Sequence, residues 1–125
     1  MGIHFKVIND GKYKYELLQT EFRSIDIPES VFMPYFDLHA GILTAKKGYR
    51  WDGASGPAID TTTFIEASLF HDVLYQMFRE GLLSRKYRRK ADKLMRKIAL
   101  EKGMSRPRAW WTFWAVRLFA RGNAK

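Results

Sequence analysis

Apolar and polar positions alternate along the first half of this chain and fall into a three-to-four-residue rhythm along the second. Tyr13, Tyr15 and Leu17 are separated by Lys14 and Glu16, the period of a strand with one buried face. A second strand is predicted through Phe22 to Ile27, stopping at Pro28. A third runs from Gly41 to Ala45 and resumes at Tyr49 to Trp51. Asn9-Asp10-Gly11 signals a turn, and Pro34 and Gly48 punctuate the region.

Three helices are predicted downstream. The first runs from about Thr61 to Glu80, with Asp60 and the following threonines as caps and Gly81 as its stop. Ser84 caps the second, which ends at Gly103. Ser105 caps the third, Pro107 falls in its first turn where a missing N–H is harmless, and Gly122 ends it. The expected fold is α+β: a small N-terminal antiparallel β-sheet packed against about three C-terminal helices. It is read as one domain over 1–125, strand-rich over 1–57 and helical over 60–122, with no internal repeat.

Composition changes this picture in two ways. There are no cysteines, which excludes disulfides, thiolate metal sites and a cysteine nucleophile. The formal net charge is +9, which attracts nucleic acid, anionic lipid or an acidic protein without choosing among them. The N-terminus lacks the pattern of a secretory signal. The longest apolar run, Ala109 to Ala120, is interrupted by Arg117 and falls short of the roughly 20 residues that cross a bilayer. The expectation is therefore a protein with neither signal peptide nor transmembrane helix.

Candidate chemistry centres on the first helix. Phe64, Ala67, Ser68, His71, Tyr75 and Phe78 share one helical face, so His71 points inward among apolar and small neighbours. A neutral imidazole there can act as a general base or metal ligand, or it can be a core histidine with both nitrogens satisfied. Asp72 lies about 100° further round the helix. Upstream is the loop Tyr49-Arg50-Trp51-Asp52-Gly53-Ala54-Ser55-Gly56-Pro57. Gly53 and Gly56 allow positive φ and close approach of a ligand. Exposed carbonyls there can bind a hard cation together with a carboxylate; exposed N–H groups can hold an anion; and the loop can be a plain strand-to-helix connection. In the second helix, Asp92 lies at the edge of the stripe Tyr87, Ala91, Leu94, Met95 and Ile98. It can reach back to orient His71, or pair at the surface with Arg88 and Arg96.

The second helix is strongly basic, with Arg85, Lys86, Arg89, Lys90, Lys93 and Lys97 beside Arg88 and Arg96. Tyr87 is its one aromatic residue and is assigned to the core, which favours a solvated or lipid-facing surface over a nucleic-acid reader. The third helix, with Trp110, Trp111, Phe113, Trp114, Leu118 and Phe119, is apolar on more than one face. The region 106–121 is therefore expected to meet a partner: a second copy of the chain, another protein, or an anionic lipid surface.

Gly48 to Pro57, then His71-Asp72-Val73-Leu74-Tyr75, then Arg89-Lys90-Ala91-Asp92, together with Ala115-Val116-Arg117, resemble a phage-associated family known as domain of unknown function 1353. The likeness covers roughly Ile42 to Gly122 and implies a bacteriophage or prophage protein, placed in the host cytoplasm or in the virion. A looser resemblance is to calcium-dependent secreted phospholipases, which also place a Gly-rich loop before a helix bearing His-Asp-x-x-Tyr. That resemblance implies that His71 deprotonates the attacking water, that Asp92 and Tyr75 hold the imidazole, and that Asp72, with carbonyls from Gly53 to Gly56, binds a divalent cation, calcium first; Asp52, which has no clear counterpart in those enzymes, is added as a further candidate ligand. This chain lacks the disulfides of those enzymes and has a different glycine pattern. Two functions follow: a metal-assisted hydrolase of phospholipid or another cell-envelope ester, or a non-enzymatic virion or host-interaction protein in which Trp51, Asp52, His71 and Asp92 form a structural lock.

Overall fold

The computed structural model describes residues 3–52 and 64–119. They fall into two compact units, Met1–Gly53 and Ala54–Lys125. The first is all β and the second all α, which makes the chain α+β.

The first unit holds two antiparallel sheets where the sequence pattern suggested one. Strands β1 (Phe5–Val7), β2 (Tyr15–Leu17) and β7 (Arg50–Trp51) form one sheet in the order β1-β2-β7. Strands β3 (Glu21–Ser24), β4 (Val31–Phe32), β5 (Phe36–His39) and β6 (Ile42–Ala45) form the other, in the order β3-β6-β5-β4. The two halves of the predicted third strand thus separate: β6 pairs with β3 and β5, while β7 pairs with β2. Gly48, at φ +94, breaks the chain between them.

Alternation sets the register. Phe36 lies opposite Ala45 and Leu38 opposite Leu43, all on the buried side. Phe22, Phe32 and Ile42 point to the exposed side. In the smaller sheet Trp51 is opposite Tyr15 with ring centroids 5.3 Å apart, and the Tyr49 ring stacks on Trp51. Trp51 is thus a buried strand residue, whereas Asp52 beside it is exposed. The turn after β1 closes on Asp10, whose carboxylate accepts from the amides of Tyr13 (2.7 Å) and Lys12 (3.0 Å). Those amides, Tyr13 first, hold the Asp10 carboxyl below its ordinary pKa.

The second unit is a three-helix array, α1 (Ile65–Arg79), α2 (Arg88–Glu101) and α3 (Arg106–Phe119), with α1 against α2 and α2 against α3. The predicted caps between Asp60 and Thr63 lie outside the described residues. At the other end α1 stops as expected: Gly81 adopts φ +71, its N–H reaches the Phe78 carbonyl and the Leu82 N–H reaches that of Met77. This doubly bonded reversal satisfies two free carbonyls, and Gly103 repeats it at the end of α2 through Leu100 and Ala99. Ser84 caps a 3₁₀ turn, Arg85–Tyr87, that leads into α2. Ser105 Oγ accepts from Arg108 N at the start of α3. The predicted stop at Gly122 lies outside the described residues. An ion pair between Glu66 and Lys102, 3.2 Å, joins the start of α1 to the end of α2.

Candidate functional site

Helix α1 is apolar nearly all round, so its polar residues are the informative ones. His71 is buried, and its ring packs on Tyr75 one turn later with centroids 4.1 Å apart. Helical spacing directs both side chains toward α2. Asp92 meets them there, with no exposed surface at all.

A buried carboxylate needs partners for both oxygens. Asp92 Oδ1 is 2.7 Å from His71 Nε2 and accepts from the Tyr75 hydroxyl at 2.8 Å. Its Oδ2 accepts from Arg117 Nη1 of α3 at 3.0 Å. The Arg117 guanidinium sets a positive charge against this fully buried carboxyl group. Arg88 completes the set. Its Nε donates to the Tyr75 oxygen at 3.0 Å and its Nη2 to the backbone carbonyl of Arg117 at 2.7 Å. Burial, and then the Asp92 charge, hold the Tyr75 phenol well above its ordinary pKa, so it remains a donor.

This geometry bears on the state of the imidazole. A carboxylate accepts, so the His71 tautomer that donates from Nε2 is the one that suits this contact, and that tautomer carries its lone pair on Nδ1. Among the described residues Nδ1 has no hydrogen-bond partner. His71 as a whole residue is 8% exposed. A ring fixed through one nitrogen by a charge-balanced carboxylate, with the other nitrogen available, is an arrangement that can take a proton.

Of the predicted catalytic residues, His71, Asp92 and Tyr75 all converge. The competing surface reading of Asp92 is overturned by its complete burial. Arg88 bonds Tyr75 and the Arg117 backbone instead, and the Arg96 guanidinium lies 4.7 Å from the centroid of the Phe113 ring. The sequence reading missed Arg88 and Arg117 as members of the site. Their signal was available: each falls one turn from an apolar residue of an inward stripe, Arg88 from Ala91 and Arg117 from Phe113.

The predicted cation ligands are less completely placed. Asp72 is half-buried on α1 next to His71. Asp52 lies at the end of β7 in the first unit, and Gly53 and Gly56 are outside the described residues. Among the described residues no group of three or more His, Asp or Glu is placed to hold a metal ion. No helix among them is long and apolar enough to cross a membrane.

An α+β chain with a histidine–carboxylate couple buried between helices is the class that fold and site define. The chain belongs to the family described as "Protein of unknown function (DUF1353)", whose model matches residues 31–116. That span begins at β4 and takes in His71, Asp72, Tyr75, Arg88 and Asp92; Arg117 is the next residue beyond it. No curated protein and no solved structure matches the chain.

Proposed function

We propose that this bacteriophage or prophage protein is a hydrolase in which His71 is the general base, acting on a phospholipid or another cell-envelope ester. The observation that carries the reading is the tie between His71 Nε2 and fully buried Asp92, 2.7 Å, with the carboxylate's remaining capacity taken up by Tyr75 and Arg117. Nδ1 of His71 removes a proton from water as the water attacks the ester carbonyl or phosphorus. The imidazolium so formed is stabilised by Asp92, and it returns the proton to the leaving alcohol. Asp92 and Tyr75 act as positioning residues. A divalent cation, calcium first, belongs to this reading through Asp72, with Asp52 and the Gly53–Gly56 backbone as further donors. The described residues do not assemble that donor set, so no step is routed through a metal.

The test is turnover of phospholipid vesicles and short-chain esters by the purified protein, with and without calcium, against His71→Asn. Calorimetric titration of calcium, zinc and manganese follows, with Asp72→Asn as control. Turnover lost in His71→Asn while the variant still melts cooperatively supports the proposal. A native protein inert toward every ester with and without cation counts against it.

A second reading is supported by the bonds of Arg88. Through Tyr75 and the Arg117 carbonyl they make the cluster a clasp across three helices, which is what a non-enzymatic virion or host-binding protein would need. Within the first unit, Asp52 is exposed and Trp51 is a buried strand residue.

A further inference from the structure

Helix α3 buries Ala109, Thr112, Phe113 and Ala115. Its opposite side carries large apolar groups in the open: Trp110 is 59% exposed, Trp111 48%, Trp114 45% and Leu118 67%. At about 100° per residue, Trp110, Trp114 and Leu118 follow one another along the helix, with Trp111 beside them, inside an arc of about 100°. Among the described residues of α3, no charged residue falls within that arc. Arg106 borders it on one side and Arg108 on the other, whereas the Arg117 guanidinium is turned inward to Asp92.

The surrounding sequence is of one sign. From residue 102 onward the chain holds Lys102, Arg106, Arg108, Arg117, Arg121 and Lys125 and no acidic residue at all. Exposed Arg89, Lys93 and Lys97 on α2 add to the positive field. A second copy laid against this face would bring like charges together. A single-stranded nucleic acid is held by grooves that follow its backbone, whereas this face is the convex flank of a helix. A flat anionic surface satisfies both halves of the pattern. Indoles and leucine enter the boundary between head groups and acyl chains, and arginines at the border meet the phosphates. The helix has 14 residues and is about 21 Å long, suited to lying in that boundary rather than crossing it.

We infer that the exposed Trp110–Trp111–Trp114–Leu118 face of α3 docks the protein in the plane of an anionic lipid membrane. Docking does not rest on turnover at His71, and it holds for a protein that hydrolyses nothing.

The full chain is mixed with vesicles of equal parts phosphatidylglycerol and phosphatidylcholine, and separately with phosphatidylcholine alone, and tryptophan emission and co-sedimentation are recorded. Emission should shift to the blue and protein should sediment with the anionic vesicles only. Binding should weaken about fivefold for each of Arg106→Gln and Arg108→Gln. Loss of one indole, in Trp110→Ser or Trp114→Ser, should weaken it by on the order of tenfold or more. These side chains are exposed, and unchanged melting of the variants shows that the surface, not the fold, has been altered. Added salt must also release the native protein, a readout that needs no variant. Unshifted emission with anionic vesicles overturns the inference, as does a stable dimer that protects the indoles from quenching. Quenching by a single-stranded oligonucleotide in the absence of vesicle binding overturns it as well.

Discussion

Replacing Arg117 with methionine removes the positive charge from a carboxylate that has no access to water, while keeping most of the apolar stem. Breaking one side of a fully buried ion pair costs about 3–5 kcal/mol. Two features reduce that here. The Arg117 side chain is 24% exposed, so water can enter part of the vacated space, and Asp92 keeps the donors on Oδ1 from His71 and Tyr75. A loss of about 2–3 kcal/mol is therefore expected for Arg117→Met, just below the buried-pair range because of that discount. The assay is urea unfolding of the full chain followed by tryptophan fluorescence and circular dichroism, with the slope checked so that a changed midpoint reports stability. The second arm is a double-mutant cycle. Asp92→Asn with Arg117→Met leaves no unpaired buried charge, so the double variant should be more stable than the two single losses sum to, by about 1–2 kcal/mol. A single variant within about 0.5 kcal/mol of the native protein, or a cycle that sums without remainder, would show that the pair is screened by solvent and refute the account of the site.

Other consequences are open to measurement. Tyr75 has a raised pKa in the folded protein, so its contribution to stability is fully present below the ordinary phenol pKa and is lost as pH rises through the folded value. Stability of the native protein should therefore decline through alkaline pH more steeply than that of Tyr75→Phe, read from melting temperatures across that range. The β5–β6 turn places Ala40 at φ +52, which a side chain with a Cβ tolerates poorly. Ala40→Gly should stabilise the chain by about 0.5–1 kcal/mol, and destabilisation would show that the turn is not strained.

How far the sequence carried depends on whether a structural device used the residue that usually signals it. Helix ends at Gly81 and Gly103 were legible because glycine is the residue that a left-handed reversal requires. Strand β5 was not legible. Its hairpin with β6 turns through Ala40 and Gly41, both at positive φ, where Asn or Asp before the glycine would have announced it. Strand β1 was hidden for a different reason: Phe5–Val7 is three residues long and pairs on one side only, with β2. At the site, His71 and Tyr75 were legible from periodicity, because inward polar residues on an apolar face stand out; Asp92 fell at the edge of its stripe, where periodicity left orienting His71 and pairing at the surface both open. Arg88 and Arg117 did not stand out in a chain with 22 lysines and arginines. Their long stems let the charge turn inward from a position that pattern alone assigns to the border.

The bond from Arg117 to Asp92 also sets an order in time. Asp92 is separated from its only guanidinium partner among these contacts by 25 residues of chain. In folding there is an interval before α3 docks, when α1 and α2 lack that partner. During that interval the pair of helices can bury Asp92 only as an uncompensated charge, so their hairpin is held open and hydrated around it. Docking of α3 is thus what lets α1 and α2 close over Asp92 and His71.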